Sequence, residues 1–222
     1  MSRAENTKAT ASAAVYEKLR HDILAGDLSP GLHLSMDFVG SRYGAGAIPV
    51  REALNRLSSE RLVDRKDQRG FFVPPVSIEM VRELVKTRCW MESKAIEESI
   101  LNRTTAWEEA VVLAFHRLSR CPMSLEGQAS VSNPEWEGYH QAFHIALISG
   151  CGSSWLIEFC RSMMDHSQRY RYIAGLAKKA GRDTVAEHRS IMDATMDGDV
   201  EKAKSLLMEH YLVTLRAMEG ML

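Results

Sequence analysis

The amino-acid sequence predicts a mainly α-helical protein: an N-terminal winged helix-turn-helix with a small β-hairpin wing, then a C-terminal antiparallel bundle of about six helices. Three observations lead to this fold class. Short amphipathic segments and a charged hairpin occupy residues 12–76, apolar residues recur with helical periodicity over 77–222, and Pro74-Pro75 lies between them. Because two prolines extend neither a helix nor a strand ladder, they mark the domain boundary.

The composition points away from membrane and secreted proteins. The 222 residues are 45% hydrophobic with a formal net charge of −1, and no apolar run approaches the roughly 18 residues of a membrane span. Residues 1–11 lack the apolar segment of a secretory signal and are expected to form a disordered lead-in. The four cysteines form no C-x-x-C pair, which suits a reducing compartment. We therefore expect a cytoplasmic protein with no membrane partner.

Two helices are predicted at the start of the N-terminal domain. Apolar residues at every fourth position indicate a helix from about 12 to 25, which Gly26 ends. Ser35 is a suitable N-cap for a short second helix through Tyr43. Gly44-Ala45-Gly46 then forms a tight turn.

The third predicted helix begins at Pro49, because a proline in the first helical position gives up an N–H that would lack a partner there. Leu62-Val63 and Phe71-Phe72-Val73 then flank a polar stretch, which predicts a β-hairpin with a charged tip. Residues 40–75 hold seven Lys and Arg against four Asp and Glu. A local basic patch of this kind is compatible with DNA binding by a small module.

The domain of residues 77–222 is predicted to be a helical bundle that binds an effector and forms the dimer. Prolines, glycines and short polar turns separate its helical segments. The predicted helices are roughly 78–101, 105–120, 133–150, 153–174, 182–197 and 199–219.

The N-terminal half resembles the GntR family of regulators. The residues that carry this resemblance are Val15-Tyr16-Glu17-Lys18-Leu19-Arg20, Ile23-Leu24-Ala25-Gly26, Ser29-Pro30-Gly31-Leu32-His33-Leu34, Pro49-Val50-Arg51-Glu52-Ala53-Leu54-Asn55-Arg56-Leu57 and Gly70-Phe71-Phe72-Val73. The C-terminal half resembles the FadR-type ligand-binding domain of that family, the FCD domain. There the matching residues are Arg88 to Glu92, Phe143-His144, Glu187-His188-Arg189 and Glu209-His210-Tyr211.

The resemblance implies which residues contact DNA. Arg51 stands at a position that reads base edges, and the tip of the wing would enter the minor groove. Arg42 and Arg56 would contact phosphate, or alternatively lie on a solvated surface. The candidate DNA-contact residues are Arg42, Pro49, Arg51, Arg56, Arg69 and Gly70.

One departure from the family pattern lies directly before the third helix. The turn usually reads Ser-Arg-Thr or similar, whereas this chain has Gly46-Ala47-Ile48. The first arginine of the recognition helix is therefore absent, and Ala47 cannot donate to a guanine at that point.

Four of the eight histidines are expected to point into the C-terminal bundle. His140 and His144 are four residues apart on one predicted helix and project from the same side. His188 and His210 lie on or beside the apolar stripes of two further helices. Converging neutral imidazoles suit a divalent transition metal. The alternative from spacing alone is that each is a hydrogen-bonded core residue.

The resemblance adds a ligand set to this pattern. Many FCD domains bind a metal through one Asp and three His, and the position of that Asp is His140 here. The resemblance thus implies one divalent transition metal per chain, held by His140, His144, His188 and His210. Ligation by nitrogen alone favours zinc or nickel, and four neutral ligands leave the full charge of the ion to attract an anionic effector. The alternative is that the metal has been lost and His140 donates a hydrogen bond.

Arg88 and Glu92 fall at the centre of the apolar stripe of the first bundle helix, where a charge must be paired or used. One interpretation is an internal ion pair at i,i+4 spacing. The other is that Arg88 grips the carboxylate of an effector bound near the metal.

Together, these observations predict a DNA-binding transcription regulator, and we expect it to act as a repressor. It would bind palindromic double-stranded DNA as a homodimer under the control of a small organic anion, a carboxylate or sugar acid. One alternative is a metal sensor, in which the ion itself is the signal. A metalloenzyme is the remote alternative, because Gln141 replaces the general-base Glu that follows the first His of a zinc hydrolase helix.

Overall fold

The computed structural model describes residues 3–125, 128–174 and 182–220. The chain divides into two compact units, Met1–Val76 and Ser77–Leu222, so that the division falls directly after the Pro74-Pro75 pair. The predicted fold class is confirmed, because both units are mainly helical and the first ends in a two-stranded antiparallel hairpin.

The first unit is three helices packed around one core, with a hairpin at its end. Its elements are α1 (Arg3–Leu24), α2 (Met36–Tyr43), α3 (Ala47–Ser59), β1 (Asp64–Lys66) and β2 (Gly70–Phe72). The strands pair with Arg65 opposite Phe71, and His33 adds an isolated antiparallel bridge to Phe72. Ser35 caps α2 as predicted, since its Oγ accepts a hydrogen bond from the Phe38 N–H at 3.1 Å.

Three boundaries in this unit differ from the sequence-based prediction. Helix α1 begins at Arg3, so residues 3–11 continue the helix rather than forming a disordered lead-in; the segment is rich in alanine and contains no glycine or proline to stop it. Helix α3 begins at Ala47, with Gly46 as extended N-cap. Pro49 is therefore the third helical residue rather than the first, where its missing N–H again costs no intrahelical bond. Strand β1 begins at Asp64, after the apolar pair predicted to be in the strand.

The second unit is a bundle of helices with a short hairpin. Its elements are α4 (Ile78–Leu101), α5 (Thr105–Arg120), β3 (Ser124–Leu125), β4 (Gln128–Ser132), α6 (Pro134–Ile148), α7 (Ser154–Ile173), α8 (Thr184–Met196) and α9 (Val200–Glu219). Ion pairs show that α4 and α9 run antiparallel, because Arg82 bonds Glu219 near one end and Glu97 bonds Lys204 near the other. Among the described residues, no helix has the length and apolarity needed to cross a membrane.

Side-chain caps explain why the bundle helices begin close to their predicted starts. Each cap accepts a hydrogen bond from a backbone N–H in the first turn, which would otherwise lack a partner. The capping residues are Ser77, Thr104, Asn133, Ser153, Asp183 and Asp199. The hairpin of β3 and β4 was not predicted.

Candidate metal centre and nucleic-acid interface

The four predicted histidines meet in the interior of the bundle. His140 and His144 come from α6, His188 from α8 and His210 from α9, and all four are buried. One possible ligand atom from each lies within 4.8 Å of the others. The Nε2 of His144 is 3.2 Å from that of His140 and 3.3 Å from that of His188. Two nitrogen ligands of a tetrahedral zinc, each at ~2.1 Å, would lie ~3.4 Å apart.

Hydrogen bonds at the outer nitrogens fix which inner nitrogens carry lone pairs. The Nδ1–H of His188 donates to the carbonyl oxygen of Thr184 at 2.6 Å. The Nδ1 of His210 lies between two groups, Glu187 Oε2 at 2.9 Å and Arg182 Nη2 at 3.2 Å. His144 Nδ1 lies 3.1 Å from the Tyr211 hydroxyl, whose proton goes to Glu92, so this Nδ1–H is also a donor. The Nε2 atoms of His144 and His188, 3.3 Å apart, therefore both lack a proton and face each other, an arrangement that a cation relieves.

The imidazoles are held in the neutral form that binds metals. Burial, followed by the neighbouring imidazoles and arginines, lowers the pKa of His140, His144 and His210 well below its usual value. Burial lowers the pKa of His188 to about 4. At neutral pH the four rings are therefore already unprotonated imidazoles, and no proton has to leave an imidazolium before a metal binds. The described residues can hold a metal, and the donor set fits zinc or nickel better than magnesium or calcium.

Two hydrogen-bonded networks support the cluster from outside. Glu187 holds His210 and is itself gripped by Arg182, whose Nε and Nη2 donate to the two carboxylate oxygens at 2.7 and 2.6 Å. The Tyr211 hydroxyl donates to Glu92 Oε2 at 2.5 Å. Such outer contacts orient metal ligands and raise their basicity.

A pocket opens next to the histidines. It is lined by imidazoles of the cluster and by three guanidinium groups, together with apolar and hydroxyl side chains. The lining side chains used below are His140, His188, His210, Arg88, Arg171 and Arg182.

Arg88 forms the internal ion pair that was one of its two interpretations. Its Nε lies 2.7 Å from Glu92 Oε1, both side chains are buried, and its Nη1 donates to Ser167 Oγ at 3.0 Å. Burial alone would lower the pKa of the guanidinium, but Glu92 and then Tyr211 outweigh it and raise the pKa. Arg88 therefore reaches the pocket as a group already paired.

Arg171 is the arginine of the pocket that keeps a donor to spare. Its Nη2 donates to Glu137 at 2.5 Å and its Nη1 to Ser167 Oγ at 3.2 Å. Its Nε is buried and has no hydrogen-bond partner among the described residues. A buried donor left without a partner carries a desolvation cost that a bound acceptor removes.

A basic groove lies between α3 and the hairpin of the first unit. Arg51 and Asn55 of α3 are exposed and line it together with Arg65, Lys66 and Arg69 of the hairpin. Four of these five side chains are cationic, and Asp67 is the anionic side chain in the lining. The positive charge of this groove would attract an anionic phosphate backbone.

Two other candidate DNA contacts already have intramolecular partners. Arg42 donates from Nη2 to Asp22 at 2.7 Å and from Nε to the same oxygen at 2.9 Å. Arg56 stacks over the Tyr16 ring at 3.6 Å and pairs with Glu60. Because both side chains are exposed, these contacts orient the guanidinium groups without burying them.

Sequence reasoning missed most of the groups around the histidines. Ser167 and Arg171 join the site from α7, Arg182 from the segment just before α8, and Tyr211 from α9. No spacing along the chain connects them to His140. Glu187 was noted beside His188, but its bond to His210 on another helix has no local signal.

Comparisons with known families place both units. The family described as "Bacterial regulatory proteins, gntR family" matches residues 11–73, and the family described as "FCD domain" matches residues 83–212.

Relatives match along nearly the whole chain. The uncharacterized HTH-type transcriptional regulator BphR of Paraburkholderia xenovorans LB400 is 35% identical over 89% of this chain and 80% of its own length. The HTH-type transcriptional repressor GlaR of Escherichia coli K12 is 31% identical over 92% of this chain and 96% of its own length. Among solved structures, E. coli McbR/YncC has a TM-score of 0.74 at 20% identity, covering 95% of this chain and 97% of that one, so the fold is shared.

Proposed function

The chain belongs to the GntR family of bacterial transcription regulators and carries an FCD domain, and from this premise we propose a homodimeric repressor controlled by a small organic anion seated beside a metal ion. The matched families and relatives are transcription regulators, so the protein is a DNA-binding regulator and not an enzyme. The metalloenzyme alternative is therefore set aside. The metal, the effector and the dimer belong to the proposal.

The observation that carries the proposal is the pocket that joins the histidine cluster to Arg171. Its lining brings imidazoles of the cluster, a possible metal position, together with Arg171, whose Nε–H is buried and has no hydrogen-bond partner among the described residues. A carboxylate that reaches both would gain a metal contact and a charge-assisted hydrogen bond. Arg88 stays in the proposed site as a lining group, although Glu92 already takes its bidentate face.

A divalent ion, rather than the arginines of the pocket, would supply the net positive charge that attracts an anion. Arg88, Arg171 and Arg182 each bond a carboxylate, namely that of Glu92, Glu137 and Glu187. The three pairs balance, whereas a divalent ion on four neutral imidazoles would keep its full charge. A carboxylate or a sugar acid is the counter-charge that such a site favours.

At the other end of the protein, we propose that α3 lies in the major groove with Arg51 at base edges. The hairpin tip with Arg69 and Gly70 would reach the minor groove, and Arg42 and Arg56 would contact phosphates. Two copies related by a two-fold axis would then match a palindromic operator.

A single set of titrations tests the proposal. Operator fragments are selected with full-length, zinc-loaded protein, and their affinity is measured with and without a panel of carboxylates and sugar acids. We expect at least one anion to weaken operator binding, while uncharged analogues of the same shape have no effect. Operator binding that no anion changes, at any metal loading, would contradict the proposal.

The same measurements distinguish control by an organic anion from the metal-sensor alternative. If zinc or nickel alone switches operator affinity at exchangeable concentrations, the ion is the signal. If the metal stays bound throughout the titration and only anions change operator affinity, the result supports control by an organic anion.

A further inference from the structure

The first turn of α3 exposes an isoleucine where a hydrogen-bonding residue would be expected. Ile48 is 57% exposed, and Ala47 beside it is exposed as well. An isolated exposed apolar side chain needs no explanation by itself. Its position on this helix is what gives it meaning.

Ile48 lies on the same face of α3 as the groove-lining residues. Ile48, Arg51 and Asn55 are spaced i, i+3 and i+7, which places them on one side of a helix. The opposite face is the buried one, made by Val50, Ala53, Leu54 and Leu57. Arg51 and Asn55 line the basic groove, so Ile48 continues their surface toward the N-terminal end of the helix. In a helix-turn-helix motif the second of the two helices, here α3, is the recognition helix, and its N-terminal end contacts base edges.

The chemistry of Ile48 restricts what it can read. It has no donor for a phosphate or for guanine, and the apolar group that a base presents in the major groove is the 5-methyl of thymine. From residue 48 to residue 51 the helix rises about 4.5 Å, comparable to the ~3.4 Å between base pairs. We propose that Ile48 packs against a thymine methyl next to the base pair that Arg51 contacts, so that α3 reads one base through an apolar contact. This inference rests on the proposed docking of α3 in the major groove.

Site selection from random duplex DNA tests the assignment. Full-length wild type should prefer thymine at one position of each half-site, and I48S should lose that preference alone, while I48V keeps it. N55A is the matched control, since it lies on the same face but should change the preference at a different base pair. Because Ile48 is exposed, thermal unfolding of I48S should equal that of wild type. An I48S variant that retains every base preference would overturn the inference.

Removing only the methyl group gives the sharper measurement. Replacing the assigned thymine by deoxyuridine should weaken wild-type binding about fourfold, from about 0.8 kcal/mol per buried methyl-sized group, and should leave I48S unchanged. Equal losses in both proteins would show that Ile48 does not touch the methyl. A wild type without any preferred sequence would refute the docking of α3 itself, whereas preferences that depend on Arg51 but not on Ile48 would refute this inference alone.

Discussion

At the scale of single residues, the histidine cluster is organised by what binds its outer nitrogens. A carbonyl takes the Nδ1–H of His188, and a phenol takes that of His144. Each of these bonds turns a lone pair toward the centre, and the lone pairs repel one another unless a cation lies between them. The cluster is thus better suited to hold an ion than to pack as four mutually hydrogen-bonded core histidines.

Replacing one ligand should therefore cost both metal and stability. We expect H144A to lose most of the zinc of wild type and to unfold at a lower temperature, because a ligand at a hundredfold excess over its Kd adds about 2.7 kcal/mol to folding stability. Elemental analysis and thermal unfolding with and without added zinc would measure this. H116A, an exposed histidine of α5, is the control and should keep both values. Equal zinc content in H144A and wild type would argue against the site.

The buried ion pair of Arg88 with Glu92 should contribute more to stability than an exposed ion pair. Arg88→Ala leaves Glu92 as an unpaired buried charge, so the free energy of unfolding should fall by about 3–5 kcal/mol. R82A, which breaks an exposed pair with Glu219, should change it by no more than about 1 kcal/mol. Denaturant unfolding would measure both. An Arg88→Ala protein as stable as wild type would mean that the pair is not formed in solution.

Arg171→Lys tests the proposed anion donor at the same scale. The lysine keeps a positive charge for Glu137 but removes the buried Nε–H. We expect the affinity for the effector anion to fall about tenfold, the value of one hydrogen bond to a charged group. Calorimetric titration would show it, with Arg161→Lys on the exposed face of α7 as control. Unchanged affinity would remove Arg171 from the anion site.

At the scale of elements, the sequence was informative where a local rule decides the structure. Helical periodicity and capping residues located the bundle helices to within two or three residues. The predicted start of α3 at Pro49 was wrong, because the helix begins two residues earlier. Its N-cap is Gly46, which makes no side-chain hydrogen bond and therefore leaves no capping signal in the sequence. The hairpin of β3 and β4 was missed because β3 is only two residues long; β4 does alternate, but over five residues with small side chains its signal is weak.

In the candidate metal site, too, the sequence was informative only where a local pattern decides the structure. The inward placement of four histidines could be predicted from their helical positions, whereas their role as a ligand set was implied only by the resemblance to FCD domains. Their supporting groups could not be predicted, since Tyr211 and Glu92 are 119 residues apart and Arg88 and Ser167 are 79 apart. Contacts of this kind depend on how helices pack against one another, which no single segment encodes.

The wing depends on a glycine whose backbone conformation other residues disfavour. Gly70 has φ of 87°, and a Cβ there would lie 3.0 Å from His33 Nε2. Gly70→Ala should lower the free energy of unfolding by about 1–2 kcal/mol and weaken DNA binding, because the hairpin must shift. G138A is the matched control, since it lies in helix α6 with open space around it. Unfolding and DNA-binding titrations that do not distinguish Gly70→Ala from wild type would contradict the strain.

At the scale of the whole molecule, the proposed metal ion would supply the positive charge that attracts the effector anion. The three arginine–glutamate pairs of the pocket cancel, so a protein without metal should present a nearly neutral pocket. Removing the metal with a chelator should therefore abolish anion binding, and returning zinc should restore it. Calorimetry on both forms would measure the difference. Equal anion affinity in the metal-free protein would assign recognition to the arginines instead.

Communication between the two units must obey thermodynamic reciprocity. If the anion weakens operator binding by a given factor, the operator must weaken anion binding by the same factor, because both report one coupling free energy. Allosteric coupling free energies are typically about 1–3 kcal/mol, or roughly 5–150-fold. We expect the two ratios, from operator titrations at saturating anion and anion titrations at saturating operator, to agree. Arg51→Ala should weaken operator binding by about 1–3 kcal/mol in both states and leave the ratio unchanged, because Arg51 lines the basic groove and not the proposed effector pocket. Unequal ratios in wild type would mean that the anion also binds at the DNA surface, where it would compete with phosphate for the basic groove of Arg51, Arg65 and Arg69.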